Sequence, residues 1–222
     1  SGGGIKLSAG VVTGWGHLSA DGGVGREHYG AGGSGGGGRI AVLYEHSCGG
    51  GLLENTTAHG GIHTGAPGTG APGTVYLEDG AGRGVLRIDS HGTESPDTWT
   101  PLGTAADTLF TADRLVISGT GVVAAPEHEL PLAVETLELR DGAMLTHRPT
   151  SAAGDYSLQV SVSDTLLVDA TSRIDVSGRG YKPRYGAGNN YLGNIFSGGS
   201  HGGYGAHHAN EPYAPVYGDF RN

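Results

Sequence analysis

Thr165-Leu166-Leu167-Val168-Asp169-Ala170, followed after a short gap by Arg173-Ile174-Asp175-Val176-Ser177-Gly178, sets the pattern of this chain. Apolar and polar residues alternate, as they do along a strand with one buried face. Ala and Gly punctuate the two short segments, so the unit reads as two strands joined by a bend. The same unit opens the chain: Ile5-Lys6-Leu7-Ser8-Ala9, then His17-Leu18-Ser19-Ala20-Asp21-Gly22. Looser copies lie between. They are Ile40-Ala41-Val42 with Leu53 and Gly60, Val75-Tyr76-Leu77 with Val85-Leu86-Arg87-Ile88 and Gly92, Leu115-Val116-Ile117 with Val122-Val123, and Leu137-Glu138-Leu139 with Met144-Leu145.

A single unit of this size cannot bury its own apolar face, whereas stacked units form a continuous core. The expected fold is therefore all-β: a β-solenoid, specifically a right-handed parallel β-helix, with glycine-rich loops stacked on one face. A β-sandwich shares the alternation; Ala and Gly recurring at equivalent places select the coil. The chain reads as one module over 1–222, with an aliphatic spine over 5–178 and a Gly/Tyr/His-rich stretch over 178–222.

The composition agrees with short strands and long connections. Of 222 residues, 45 are Gly, and long helices are disfavoured because each interior Gly costs about 1 kcal/mol. No apolar run reaches the ~20 residues of a membrane span. Cys48 is the lone cysteine, so no internal disulfide and no two-cysteine metal motif can form. The net charge is −9, and Lys6 and Lys182 are the only lysines. A nucleic-acid partner requires a basic patch that this chain lacks. Ser1 in place of Met reads as a mature product or an excised piece.

Three loops carry most of the glycine: 21–39, 60–74 and 178–205. They follow the second strand of a unit, so stacking would bring them to one face. Flexible linkers are one reading of such loops. Close backbone packing is the other, because a Cβ would clash where two chains approach. The aromatics in these loops favour the second. Gly35, Gly36, Gly37, Gly38, Gly198, Gly199, Gly202 and Gly203 are the expected packing residues, with Tyr29, Tyr185 and Tyr204 as covers.

The strings SGGGIKLSA (1–9), GGSGGGGRIAVLY (32–44), GAPGTVYL (70–77), IDVSGRGY (174–181) and SGGSHGGYG (197–205) resemble the glycine-rich parallel β-helix repeats of large bacterial surface and adhesin-like proteins. That resemblance implies a secreted, extracellular or cell-surface protein with a structural or adhesive role. It brings no catalytic residues.

Chemistry is sparse. Gly33-x-Gly35-x-x-Gly38 matches a dinucleotide fingerprint but precedes a strand and opens no helix. G-x-S-x-G occurs around Ser34 and Ser200 without the strand–turn–helix of a nucleophile elbow. His201, His207 and His208 form the tightest histidine group and are the candidate metal ligands, with His28, His59 and His63 in other glycine-rich loops. No cofactor is expected; the candidate, if one binds, is calcium at an aspartate turn (Asp21, Asp79, Asp141 or Asp219), where Asp-Gly is also ordinary turn chemistry. Glu127 and Glu129 around His128, and Asp169 with Asp175, are the carboxylate pairs that hydrolysis would want. Asn55-Thr56-Thr57 is a glycosylation sequon.

The expected function is a non-enzymatic structural or adhesive module that stacks head to tail or in tandem into a fibre or surface layer. Its partners are copies of itself or neighbouring repeats, with no nucleic acid and no membrane insertion. The alternative is a carbohydrate-binding or polysaccharide-degrading β-helix, with glycans stacking on Tyr, Trp15 or Trp99.

Overall fold

The computed structural model describes residues 1–25, 32–52, 54–62, 68–92, 98–151, 156–181, 198–206 and 213–221. Among them there is no helix. Thirteen strands form: β1 (Gly4–Val12), β2 (Leu18–Ser19), β3 (Arg39–Cys48), β4 (Thr56–Thr57), β5 (Thr74–Glu78), β6 (Gly84–Asp89), β7 (Thr100–Leu102), β8 (Phe110–Ser118), β9 (Val123–Pro126), β10 (Leu132–Arg140), β11 (Met144–Leu145), β12 (Val160–Val168) and β13 (Arg173–Ile174). They make a seven-stranded sheet in the order β1-β3-β5-β6-β8-β10-β12, a four-stranded sheet β13-β11-β9-β7 and a two-stranded sheet β2-β4.

Strand direction corrects the expected right-handed parallel β-helix. A solenoid advances in one direction, coil after coil, but this large sheet is mixed. β1, β3 and β5 are mutually parallel. β5 and β6 pair antiparallel, with Val75 opposite Arg87 and Leu77 opposite Val85. β6, β8, β10 and β12 are again mutually parallel, so they run against the first three. The two segments read from sequence as one bent coil are thus hairpin partners in the same sheet. The cause is the turn Asp79–Arg83. The Asp79 carboxylate accepts the backbone N–H groups of Ala81 and Arg83 and the Arg83 guanidinium. Gly82 supplies the left-handed backbone that closes the reversal (φ 75°). The remaining strands form separate sheets.

The core divides at the same place. Val12, Ala20, Ile40, Val42, Ala58 and Val75 form one buried cluster. Ile88, Leu102, Leu115, Ile117, Leu132, Leu137, Leu139 and Leu145 lead the second. After β8 the chain alternates between the large sheet and the four-stranded sheet through tight bends. These bends bond to one another. The Asp169 carboxylate accepts the N–H of Asp141 from the bend before and those of Thr171 and Ser172 in its own. The Asp141 amide foremost holds the Asp169 carboxyl well below the usual carboxylate range. Asp141 itself adopts φ 59°, a conformation that Asp tolerates better than most residues.

The structure comprises two compact units: Ser1–Thr146 with Leu158–Asp175, and His147–Ser157 with Val176–Asn222. All thirteen strands belong to the first. In the second, Thr150 donates to the Arg179 carbonyl and Arg179 donates to the His147 carbonyl.

Leu137 is fully buried, whereas Leu166 on β12 is 52 % exposed. Leu137→Ala should therefore cost about 3 kcal/mol by urea unfolding and Leu166→Ala under about 1 kcal/mol. Equal costs would contradict this placement of the core.

Candidate functional site

Backbone is the material of the first candidate site. Residues 34–38 lie extended among four other segments. Gly2 donates to Gly36 and Arg39 to Gly3; Gly35 donates to Gly23 and Gly38 to Ala20. Gly61 donates to Gly35, Gly37 to Ala71, and Thr74 to Gly38. A sheet strand has two edges, but this segment sends peptide hydrogen bonds to four neighbours. Such packing leaves no room for side chains. A Cβ on Gly35, Gly37 or Gly38 would come closer than 3.0 Å to backbone of a neighbouring segment, as would one on Gly22, Gly61, Gly70 or Gly73. None of these glycines has a left-handed φ. Space, not conformational freedom, demands glycine here. Gly36 differs: its Cβ would meet Ala71 at an ordinary 3.6 Å.

Polar side chains pin this bundle along one flank. Asp21, between Ala20 and Gly22, accepts Ser19 Oγ at 2.6 Å, Thr57 Oγ1 at 3.0 Å and the His59 N–H at 3.0 Å. His59 Nε2 lies 3.4 Å from the same carboxylate, and its Nδ1 lies 2.9 Å from the Gly60 carbonyl. Burial pushes the Asp21 carboxyl up, but these hydroxyls and His59 outweigh it and hold it below the usual range.

The other expected packing residues lie in the second unit. Gly198 donates to Ala206, and a Cβ on Gly198 would sit 3.4 Å from it. Gly202 and Gly203 have open space at the Cβ position, while Gly205, which the sequence did not single out, abuts the Gly198 carbonyl. Gly199 lies between Gly198 and the buried Ser200. Tyr204 packs at a tilt on Tyr213, 5.1 Å between centroids. Tyr29 and Tyr185 lie outside the described residues, as do His28, His63, His207 and His208. His201 stacks on Tyr217 at 4.4 Å. Among the described residues no group of three His, Cys, Asp or Glu is placed to hold a metal. The aspartate turns are internally occupied: Asp79 by Arg83, Asp141 by Ser118 Oγ, Asp219 by the Arg221 N–H. Ser200 donates to the Ala214 carbonyl and accepts the Gly205 N–H, so it is engaged structurally.

The carboxylate pairs fare similarly. Asp169 caps its bend, Asp175 faces Arg173 at 3.5 Å, and His128 Nε2 lies 3.2 Å from the Thr104 carbonyl. Glu138, only 6 % exposed, is clamped by Arg114 at 2.6 Å and Arg140 at 2.7 Å. Burial pushes its carboxyl up, but the two guanidinium groups prevail and hold it low. A buried carboxylate needs such partners.

Two further surfaces stand out. The outermost strands of the large sheet are uncovered among the described residues. Leu7 and Val11 of β1 are 37 % and 55 % exposed, and Leu166 and Val168 of β12 are 52 % and 40 % exposed. An open groove of about 510 Å³ crosses β8, β10 and β12 beside Tyr76 and Gly82. Its carboxylates, Asp113 and Glu135, were not singled out from sequence. The signal was present as acidic residues at corresponding places in successive strands, but no linear motif joins them.

No family model, no curated protein and no solved structure matches this chain.

Gly38→Ala should destabilise by about 3 kcal/mol or more, while Gly23→Ala, where a Cβ meets nothing, should stay within about 1 kcal/mol. Equal effects in urea unfolding would refute the tight bundle. Asp21 adds a pH signature. A carboxyl held lower in the fold than in the unfolded chain stabilises above its unfolded pKa, and that contribution is lost as pH falls through the folded pKa. The stability gap between wild type and Asp21→Asn should be full at pH 7 and shrink below about pH 4. A gap that does not change with pH would contradict it.

Proposed function

We propose that this chain is a structural module that joins copies of itself, or similar modules, edge to edge into an extracellular fibre or surface layer. The observation that carries this reading is the pair of uncovered strands, β1 and β12, at opposite ends of one sheet. An open edge with exposed apolar residues is a template for another strand. Each edge strand has a single charged residue: Lys6 in β1 and Asp164 in β12. Lys6 points away from the face on which Ile5 packs, whereas Asp164 shares a groove with Val162 and Leu166, so the two charges do not meet and the exposed apolar residues of the two edges supply the contact.

Direction supports the same pairing. β1 and β12 run antiparallel, so a copy translated across the strands sets its β1 antiparallel to the first copy's β12. That junction is of the same type as β5–β6 inside the module. A contact that repeats by translation does not close, and it builds filaments. The glycine bundle supports this role by fixing the strands near β1 through backbone alone. The resemblance to surface-protein repeats supports an extracellular setting.

The test is sedimentation velocity over a concentration series, with electron microscopy of the heaviest species. Wild type should assemble as concentration rises. Val11→Lys, which puts a charge on the exposed β1 edge, should weaken assembly by about tenfold, the effect of ~1.4 kcal/mol. Val168→Lys on β12 should do the same. A monomer at every concentration, or both variants assembling like wild type, would overturn the reading.

A further inference from the structure

The groove beside the hairpin lies on a face of the large sheet, not along its edges, and ends at β12, one of the two edge strands. Its floor is a lattice set by strand register. Thr111, Ala133 and Ser161 lie side by side on β8, β10 and β12. Two residues further along, Asp113, Glu135 and Ser163 line the same groove. Neighbouring strands are about 4.8 Å apart, so the Asp113–Glu135–Ser163 row offers a polar group at about that interval and the Thr111–Ser161 row, with Ala133 between them, at about twice it. Ala133, between Thr111 and Ser161, leaves room over the strand backbone, whereas Ala112 packs on the core on the other face.

The side chains differ in what they can offer a ligand. Asp113 is held by the Gly84 N–H. Tyr76, at one wall, donates to Glu78 Oε2 at 2.7 Å. Burial first, then Glu78 and Asp113, push its phenol up to about 12, so it remains a neutral hydroxyl at pH 7. Glu135 is exposed and, like Thr111, Ser161 and Ser163, has no protein partner among the described residues.

We propose that this groove binds an extended, non-acidic oligosaccharide lying across the strands, with its ring hydroxyls facing the Thr111–Ser161 and Asp113–Ser163 rows. The Asp113–Ser163 row presents polar groups at about the repeat of one sugar unit in an extended chain, and the Thr111–Ser161 row at about the repeat of two. The groove is open, which admits a polymer, and its floor has no deep apolar slot for a lipid chain. Its carboxylates oppose phosphate esters and uronates and favour neutral or amino sugars.

The experiment uses the Val11→Lys variant of the 222-residue chain, so that edge association and groove binding are read separately. Cellohexaose, the hexamer of glucosamine and hexagalacturonate are titrated by calorimetry, and amide shifts are followed by NMR. Saturable binding of cellohexaose or the glucosamine hexamer is expected, with shifts confined to β8, β10, β12 and the Asp79–Arg83 turn. Glu135→Gln, at an exposed position without a partner, should weaken that binding about tenfold and leave the melting temperature unchanged. Ser163→Ala should weaken it several-fold. No binding of either non-acidic sugar, tighter binding of hexagalacturonate, or shifts elsewhere in the molecule would overturn the proposal. So would unchanged binding by Glu135→Gln.

Discussion

A carbonyl oxygen occupies the space where a side chain would begin. At Gly38 that oxygen belongs to Gly3, and at Gly73 it belongs to Gly38. This contact lets five backbone segments converge and exchange hydrogen bonds. Where backbones lie this close, peptide groups satisfy one another and little apolar burial is needed. The first half of the large sheet leans on it. β3 begins at Arg39 and β5 at Thr74, each immediately after a glycine of the bundle. The glycines thus set where those strands start, and the apolar alternation that follows sets which face is buried.

The second half is held by different means. Its strands carry the larger aliphatic cluster, and its bends are tied by aspartate and hydroxyl side chains. The division falls at the Asp79–Arg83 reversal. One chain therefore joins two solutions to the same problem, which is how to order short strands that bury little surface individually.

Alternation in the sequence marks the strands well. Leu115, Ile117, Leu137 and Leu139 are expected inward residues, and all are fully buried. The glycine-rich 34–38 segment carries a weaker signal, because glycines without turn partners fit a flexible linker as well as a close approach of backbones. What alternation cannot convey is direction. Val75–Leu77 and Val85–Ile88 look like any other pair of short apolar segments. The difference lies in the five-residue link Asp79–Arg83, where an aspartate gathers three donor groups from two residues and Gly82 reverses the chain. Asp79-Gly80 reads as a turn from sequence, yet whether it bends to another sheet or folds back depends on which strand waits beside it. The groove was out of reach for a related reason. Asp113, Glu135 and Ser163 are far apart along the chain, and only three strands lying side by side, with a register shift at Glu135, bring them to one groove.

The glycine bundle also constrains how this protein can change over generations. Every single-base change in a glycine codon that yields another amino acid adds a Cβ. At Gly35, Gly37 or Gly38 even the smallest such replacement, alanine, strikes backbone, which has no rotamer with which to yield. The nearby Gly36 can accept a Cβ, and so can Gly3 and Gly23. Drift in this region should therefore be uneven on the scale of single residues. Frozen positions should alternate with permissive ones inside a stretch that looks, by composition, like uniform low-complexity sequence.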